Sequence, residues 1–309
     1  MNLWSRVDNV ILKSRSDVSW SKIRSLLPFC LANTPNFKGK GRITLVLDSF
    51  LTNSRDPRSY RVSGYLNEGI RFNFDLRPWG QKFAFYYRDW EGEYIHVLRR
   101  LYSGGVFVDV GSSLGLYAVS MGNEVRRLGG SIISIEPVPF NLERQRKNVT
   151  ANHLDDLVTY IPCALGKEQT RVRIQTDPLE ADNNAIITDE GDLEIIVRPL
   201  DDLASEGKWG RIGLIKMDVE GYEPMVIEGA RATLQRDRPI ILAEFLRERM
   251  DMNGFSMSNS WRFLVDELDY ICYFVSGRRG KLRVLGSPGR AENLLFIPRD
   301  KLVPPDLLG

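Results

Sequence analysis

The sequence predicts an α/β fold in which helices cover both faces of a largely parallel sheet. From about residue 105 onwards, short apolar runs alternate at a regular interval with segments of helical periodicity. Such alternation is typical of parallel sheets, which are buried on both faces. The first hundred residues lack this regular alternation, so they are predicted to form an α+β extension. We place the boundary at residue 80, with the extension over 1–80 and the main domain over 81–309.

The extension combines helical and strand patterns. Apolar residues recur at helical spacing over 4–11 and again over 20–27, which predicts two short amphipathic helices. The run 42–51 predicts a strand, and the alternation of apolar and polar residues over 65–76 predicts a hairpin. A helix over 91–101, ending at a Ser-Gly-Gly sequence, leads into the main domain.

The main domain is predicted to contain five core strands and one final strand. The core strands are 106–112, 131–137, 158–166, 212–219 and 238–245, and the final strand is 293–298. Helices are predicted after the first, second and fourth of these, over 114–127, 141–152 and 224–234.

An antiparallel pair is predicted between the third and fourth core strands. Its two members, 171–176 and 193–200, flank a polar excursion over 177–192. The excursion is long for a compact domain, so it is either a lid over an acceptor or a disordered hairpin loop.

Composition excludes several classes of protein. Forty-two Lys and Arg residues against 40 Asp and Glu give a net charge of +2, whereas nucleic-acid binders usually carry a basic excess. No apolar run approaches the length of a transmembrane segment, and the N-terminus lacks a signal-peptide pattern. The scattered cysteines, with Cys163 and Cys272 in apolar runs, indicate buried thiols and a cytoplasmic protein.

The oligomeric state stays open, since the N-terminal helices either pair between subunits of a homo-oligomer or cap the sheet.

Acidic residues end four of the five core strands. They are Asp109, Glu136, Asp218 with Glu220, and Glu244. Ligands of open parallel sheets bind at the carboxyl ends of the strands, where these acids are predicted to meet. Any one of them has an alternative role as a helix cap, but four strand ends together favour a shared site.

The loop after the first core strand indicates the type of ligand. Dinucleotide-binding folds use Gly-x-Gly-x-x-Gly, whereas this loop has Gly111 and Gly115 with Ser113 at the position of the second glycine. The loop is therefore poorly shaped for a pyrophosphate, which disfavours nicotinamide and flavin cofactors. Glu136, 21 residues beyond Gly115, can accept hydrogen bonds from ribose hydroxyls. S-adenosylmethionine carries a ribose and no pyrophosphate, so it fits this loop better.

Six stretches of the chain resemble the FkbM-type methyltransferases. They are VFVDVGSSLGLYAVS, SIEPVPFNLERQRKNVTAN, CALGKEQTRVRI, VRPLDDL, LIKMDVEGYEPMVIEGA and RPIILAEF, and the similarity extends from about residue 85 to the final NLLFIP. The resemblance implies a Rossmann-like, seven-stranded class I methyltransferase sheet whose reversed last strand is NLLFIP. It also implies S-adenosylmethionine as cofactor and O-methylation of sugars or natural products.

The resemblance further implies roles for individual residues. The residues that it places at the cofactor are Asp109, Gly111, Ser113, Gly115, Glu136, Ala164, Leu165 and Asp218, with Glu93 either touching the cofactor or lying on a helix surface. Glu136 would hold the ribose, Ala164 and Leu165 would lie along the adenine, and Asp218 would sit beneath the methionine moiety. The family usually has Ala-Asn after Gly111, where this chain has two serines. Contacts of the missing amide to the cofactor are expected to be shortened or replaced by water.

The candidate catalytic base is a carboxylate. The chain has only two histidines, His96 and His153, and neither is predicted at the strand ends. Asp218, Glu220 and Glu244 remain as candidates. In the alternative, Asp218 and Glu244 hold a divalent cation such as Mg²⁺ that acidifies the acceptor hydroxyl.

The sequence thus predicts a methyltransferase acting on a hydroxyl of a saccharide, glycolipid or secondary metabolite. Two alternatives stay open. One is a non-catalytic cofactor-binding or assembly module that uses the first 80 residues for interaction, and the other is a nucleotide-dependent oxidoreductase.

Overall fold

The computed structural model describes residues 61–176, 186–188, 190–277, 280–287 and 293–309, with three isolated positions before residue 61. The helices predicted over 4–11 and 20–27 lie outside the described residues. So does the strand predicted over 42–51, except for Ile43, which has helical geometry.

The described elements are numbered in chain order. The strands are β1 Arg61–Tyr65, β2 Arg71–Asp75, β3 Val106–Val110, β4 Ser131–Ile135, β5 Val158–Ile161, β6 Ala164–Leu165, β7 Thr170–Gln175, β8 Ile186–Ile187, β9 Leu193–Arg198, β10 Ile212–Met217, β11 Ile240–Glu244, β12 Tyr270–Ser276, β13 Lys281–Val284 and β14 Asn293–Pro298. The α-helices are α1 Trp79–Tyr87, α2 Gly92–Leu101, α3 Leu116–Arg127, α4 Pro139–Ala151, α5 Leu200–Glu206, α6 Glu223–Glu228, α7 Arg231–Asp237, α8 Arg247–Met252 and α9 Met257–Trp261. A π-helical segment, Arg262–Glu267, follows α9.

An eight-stranded sheet forms the centre of the fold, in the order β13-β12-β14-β11-β10-β3-β4-β5. The five strands from β11 to β5 pair in parallel. β14, the predicted last strand, runs antiparallel to both β11 and β12. The predicted class I methyltransferase sheet with its reversed strand is therefore confirmed, and β13 adds an eighth strand at one edge.

Side chains of the central strands alternate between two apolar cores, one on each face of the sheet. In β3, Phe107 belongs to one core and Val108 to the other, and in β10, Leu214 and Ile215 divide in the same way. All four side chains are fully buried. Since successive residues of a strand point to opposite faces, a strand covered on both faces must be apolar throughout. This explains the uninterrupted apolar runs of the sequence.

Helices complete the two cores. α2, α3 and α4 contribute to the core that contains Phe107, and α5, α6 and α7 to the core that contains Val108. Among the described residues, no helix is both long enough and apolar enough to cross a membrane.

A smaller, four-stranded sheet lies beside the central one, in the order β6-β9-β7-β8. The run 158–166, predicted as one strand, is divided between β5 in the central sheet and β6 in the smaller sheet. Pro162 lies between them and has no backbone N–H to continue the ladder. The predicted antiparallel pair is confirmed as β7 and β9. Part of the excursion after β7 is described and forms β8, which pairs with β7.

The hairpin of β1 and β2 packs against α4. The side-chain oxygen of Asn148 accepts hydrogen bonds of 2.9 Å from the backbone and side-chain nitrogens of Asn73. Phe72 and Phe74 join the same apolar core as α2–α4. The hairpin therefore shares a core with the main domain, although it precedes residue 80.

Candidate active site

A cavity of about 310 Å³ opens at the carboxyl ends of β3, β4 and β10. Its ionisable lining residues, other than tyrosine and cysteine, are Glu91, Glu136, Lys216, Asp218, Glu220 and Arg249. The residues predicted for the site that line it are Gly111, Ser113, Glu136, Ala164, Leu165, Asp218 and Glu220. Glu93, Asp109, Gly115 and Glu244 do not line it. The strand-end position is the one expected for ligands of such a sheet.

The loop after β3 is packed closely against the turn after β10. Gly111 has a φ of +67°, and a Cβ atom there would lie 1.9 Å from the backbone oxygen of Asp218. Only glycine fits this approach. Ser113 also has a positive φ, of 45°, and Gly115 begins α3 with a φ of +79°. The loop thus brings two of the strand ends into direct contact.

Glu136 ties this loop to the end of β4. One carboxylate oxygen accepts a hydrogen bond of 2.9 Å from the backbone amide of Ser113. The other accepts from the amide of Val138 at 3.0 Å and from Asn141 at 3.1 Å. Burial raises the pKa of Glu136 above its usual value, although these hydrogen bonds oppose the shift. A carboxylate has about four acceptor positions, so Glu136 retains acceptor capacity towards the cavity.

Hydrogen bonds among buried side chains hold Ser112 in place. The Ser134 hydroxyl donates to the Ser112 hydroxyl at 2.7 Å, and Ser112 in turn donates to the Gln145 side chain at 3.2 Å. Gln145 also donates to Ser134. Because all three side chains are buried, the ring of hydrogen bonds connects the loop to β4 and α4.

Lys216 and Asp218 point to the same side of β10, as residues two apart in a strand do. The Lys216 ammonium lies 3.4 Å from the Asp218 carboxylate and 3.4 Å from the Gly111 backbone oxygen. Burial alone would lower the pKa of Lys216, but the carboxylates of Asp218, Asp109 and Glu91 outweigh it and raise that pKa. Lys216 is therefore a permanent cation at the floor of the cavity.

Asp109 lies beneath the cavity rather than in its wall. Its side chain is fully buried, and neither oxygen meets the geometry of a hydrogen bond in the described part of the molecule, although the nearby Ala118 backbone favours the ionised form. Burial raises the pKa of Asp109 to about 6, while Lys216 favours the ionised form. The role of Asp109 next to the ligand loop is therefore electrostatic, through Lys216.

Glu244 lies behind Asp218, at the end of β11. Burial, together with the adjacent Asp218 carboxylate, raises the pKa of Glu244 to about 9. Glu244 therefore carries a proton at neutral pH. No group of three or more His, Cys, Asp or Glu side chains that could hold a metal occurs among the described residues. The predicted divalent cation at Asp218 and Glu244 thus receives no support from the described residues.

Comparison with known proteins identifies the family. The family model of the methyltransferase FkbM domain matches residues 109–272, which is more than half of the chain. The chain belongs to the FkbM methyltransferase family.

One curated protein is similar to this chain at low identity. The hexuronic acid methyltransferase AglP of Haloferax volcanii is 25% identical over 130 residues, which are 42% of this chain and 52% of that protein. The chain thus spans about half the length of this curated relative.

Two solved structures are also similar. The methyltransferase FkbM of Methylobacillus flagellatus KT is 21% identical, with a TM-score of 0.44, over 91% of this chain and 60% of the other. The O-methyltransferase TomG of Streptomyces achromogenes is 11% identical, with a TM-score of 0.41, over 67% of this chain and 79% of the other.

Glu91 is a cavity residue of this FkbM family member that the sequence did not reveal. It lies immediately before α2 in a left-handed conformation, with a φ of 53°, and accepts a hydrogen bond from the Tyr117 hydroxyl. Burial raises the pKa of Glu91. Glu93, which had been expected near the cofactor, lies in the first turn of α2 and does not line the cavity. To choose Glu91 rather than Glu93, one would need to know that the helix begins at Gly92. Sequence periodicity locates a helix start only to within a few residues.

One wall of the cavity is apolar and belongs to the smaller sheet. It is formed by Ala164, Leu165, Val172, Ile174, Ile187, Ile195 and Val197. Glu136, which retains acceptor capacity, lines the same cavity. An adenosine group, with a flat apolar base and two ribose hydroxyls, fits this combination of apolar surface and buried carboxylate.

Proposed function

We propose that this member of the FkbM family is an S-adenosylmethionine-dependent enzyme that methylates a hydroxyl of a saccharide, glycolipid or secondary metabolite. The supporting observation is that Glu136 and Asp218, from separate strand ends, open into the same cavity. When bound, S-adenosylmethionine supplies a methyl group on a positively charged sulfur.

The cofactor half of the proposed site lies over β3, β4 and β6. Gly111 and Gly115 shape its loop, with Ser113 between them. Glu136 would accept hydrogen bonds from the ribose hydroxyls, and Ala164 and Leu165 would contact the adenine. The apolar wall and the buried carboxylate support this assignment.

The acceptor half lies over the ends of β10 and β11. Asp218 lines the cavity, and its side chain is 32% exposed. We assign Asp218 as the general base that takes the proton of the acceptor hydroxyl, because its carboxylate lines the cavity directly after β10. Glu220, which also lines the cavity, is the second candidate. Glu244, protonated at neutral pH, acts on the charge of Asp218 in this proposal.

The name of one relative favours a saccharide among the possible acceptors. That relative is a hexuronic acid methyltransferase, and its similarity to this chain is low. We infer a reducing compartment such as the cytoplasm from Cys163 and Cys272, which are free thiols buried in the apolar core.

Binding measurements distinguish this proposal from the two alternatives. Calorimetry with S-adenosylhomocysteine should show binding, and calorimetry with NAD should show none. The reverse result would favour a nucleotide-dependent oxidoreductase. Binding of S-adenosylhomocysteine without methyl transfer to any hydroxylated acceptor would favour a non-catalytic module.

Turnover with labelled S-adenosylmethionine tests the assignment of Asp218. The Asp218→Asn variant removes the base but keeps the size of the side chain. We expect methyl transfer to fall by roughly 10²–10⁴-fold, the usual contribution of a general base, while binding of S-adenosylhomocysteine is retained. Normal turnover in this variant would contradict the assignment.

A further inference from the structure

We propose that Arg249 binds a carboxylate of the acceptor, so that the substrate is an acidic sugar rather than a neutral one. This inference rests on the proposed function and adds the chemical class of the acceptor to it. Arg249 lies in α8, directly after the β11 strand end, and its side chain lines the cavity.

The cavity contains two cations among its described lining residues, and one of them is already engaged. Lys216 is only 9% exposed and lies against Asp218, with the carboxylates of Asp109 and Glu91 also acting on it. A fourth carboxylate would gain little from an ammonium that already interacts with three others. Lys216 therefore balances the charge of carboxylates that belong to the protein itself.

Arg249 differs from Lys216 in this respect. Its guanidinium makes no hydrogen bond within the described part of the chain, and its ion pair with Glu220 spans 3.9 Å, too long for a hydrogen bond. The side chain is 30% exposed. A guanidinium offers five donors in a planar fork that matches a carboxylate in two parallel hydrogen bonds. Arg249 is therefore the cavity residue with unused donors for an anion.

The backbone holds Arg249 next to the turn that carries Asp218. Gly221 has a φ of +93°, and a Cβ atom there would lie 2.7 Å from the Cβ of Arg249 and 2.9 Å from the amide nitrogen of Met250. The turn after β10 and the first part of α8 are thus in backbone contact. A ligand whose anionic group binds Arg249 would have its ring within reach of the Asp218 side of the cavity.

The charge of the cavity favours a carboxylate over a phosphate. Four carboxylates line it, those of Glu91, Glu136, Asp218 and Glu220, against the two cations. A monoanion can be balanced by a single guanidinium, whereas a phosphate monoester carries close to two negative charges at neutral pH. The second charge would have no cation in this lining.

The position of Arg249 also separates it from the proposed cofactor half. It follows β11, whereas the loop and the apolar wall assigned to the cofactor belong to β3, β4 and the smaller sheet. A role in holding the carboxylate of the cofactor would show as a loss of S-adenosylhomocysteine affinity when Arg249 is replaced. The inference requires that this affinity is unchanged.

The test uses three matched acceptors, a hexuronic acid glycoside, the corresponding neutral hexoside and the hexoside 6-phosphate. Each is titrated calorimetrically into the protein saturated with S-adenosylhomocysteine, and each is offered for methyl transfer. The variants are Arg249→Gln and Arg249→Lys. Arg247→Gln is the control, because Arg247 is an exposed residue of the same helix that does not line the cavity.

We expect wild-type protein to bind the hexuronide at least about tenfold more tightly than the hexoside. Arg249→Gln should weaken hexuronide binding by roughly 10–100-fold, the range for a hydrogen bond to a charged group, and should leave hexoside binding unchanged. Arg249→Lys should retain part of the preference, and Arg247→Gln all of it. Thermal unfolding of each variant establishes that it is folded.

Several outcomes would overturn the inference. They are equal binding of hexuronide and hexoside, stronger binding of the phosphate, no binding of any acceptor, and weaker S-adenosylhomocysteine binding in Arg249→Gln. Failure of the proposed function looks different. In that case the hexuronide still binds in an Arg249-dependent manner, but no methyl group is transferred.

Discussion

The carboxylate of Glu223 accepts a hydrogen bond of 2.9 Å from the backbone amide of Val219, four residues earlier in the chain. The same oxygen is 3.4 Å from the amide of Gly221, and the side chain is fully buried. Glu223 therefore closes the turn that presents Asp218 and Glu220 to the cavity. The second glutamate of the DVEGYE sequence is a structural residue of the turn, and the first is a cavity residue.

Replacing Glu223 should change how stability depends on pH. Burial raises the pKa of Glu223 to about 7, although the Val219 hydrogen bond opposes the shift. A raised pKa means that the folded state holds the proton more tightly. The contribution of Glu223 to stability is therefore fully present below the unfolded-state pKa and is lost as pH rises through about 7. Glu223→Gln, which keeps an acceptor oxygen and never ionises, should be more stable than wild type by roughly 2–3 kcal/mol at pH 8.

Urea unfolding at pH 5 and pH 8 measures this difference, with Glu223→Ala as the comparison. The alanine variant leaves the Val219 amide without its partner and should lose about 1–3 kcal/mol at pH 5. If Glu223→Gln and wild type show the same dependence on pH, Glu223 is ionised in the folded protein and the argument is wrong.

Gly111→Ala should disrupt the contact between the two strand-end loops. The added Cβ atom would lie 1.9 Å from the Asp218 backbone oxygen, and φ is +67°. The left-handed conformation alone costs about 1–2 kcal/mol for an L-residue, and the overlap adds to it because backbone atoms must move. We expect a larger loss of unfolding free energy and a strong loss of S-adenosylhomocysteine affinity.

Gly129→Ala isolates the conformational part of this effect. Gly129 has nearly the same φ, +66°, but a Cβ atom there would meet nothing within 4 Å. Its replacement should cost only the 1–2 kcal/mol of the backbone conformation and leave cofactor affinity intact. Equal effects of the two substitutions on stability and affinity would show that the Gly111 contact has no special role.

The order of the main sheet could be predicted because each central strand is apolar on both faces. An uninterrupted apolar run such as that of β10 is compatible with few structures other than a buried strand. The resemblance to the FkbM family predicted the reversed strand β14. The division of the run 158–166 into β5 and β6 was not predictable in the same way. The residues on both sides of Pro162 are apolar, and only tertiary contacts decide which sheet each half joins.

The acids of the site were predictable from strand ends, but their surroundings were not. The interaction of Lys216 with three carboxylates could not be predicted, because sequence spacing does not show which carboxylates surround a side chain. Glu91 was missed in favour of Glu93, since a shift of two residues turns a helical side chain through about half a circle. Glu244 was placed correctly at the end of β11, but its raised pKa depends on burial, which the sequence does not reveal.

Lys216→Met should strongly destabilise the protein at alkaline pH. The ammonium offsets the buried charges of Asp109, Asp218 and Glu91. Removing one partner of a buried charged group typically costs about 3–5 kcal/mol. The loss should shrink towards pH 5, because the carboxylates can then take up protons, and Asp109 already has a pKa of about 6 in the wild type.

Denaturant unfolding at pH 5 and pH 8 tests this expectation. Lys147→Met provides the matched control, because Lys147 pairs with Glu143 on the exposed surface of α4. Such exposed pairs contribute less than about 1 kcal/mol, so the control should change little at either pH. A pH-independent loss in Lys216→Met would mean that packing of the lysine stem, rather than its charge, stabilises the site.

Glu244 and Asp218 should respond differently to neutral amide replacements. Burial and the neighbouring Asp218 carboxylate raise the pKa of Glu244 to about 9, so Glu244 is expected to be neutral at pH 7. Asp218→Asn therefore removes the group able to accept a proton. Glu244→Gln replaces one neutral side chain by another and should reduce methyl transfer far less.

The pH dependence of methyl transfer makes the comparison decisive. In wild type, ionisation of Glu244 as pH rises through about 9 places a second negative charge beside Asp218, so the rate of methyl transfer should change there. This change in rate should be absent in Glu244→Gln. The two carboxyls titrate as a coupled pair, so the step belongs to the pair rather than to one residue. If Glu244→Gln is as inactive at pH 7 as Asp218→Asn, Glu244 takes part in the proton transfer and the assignment of Asp218 as the sole base is wrong.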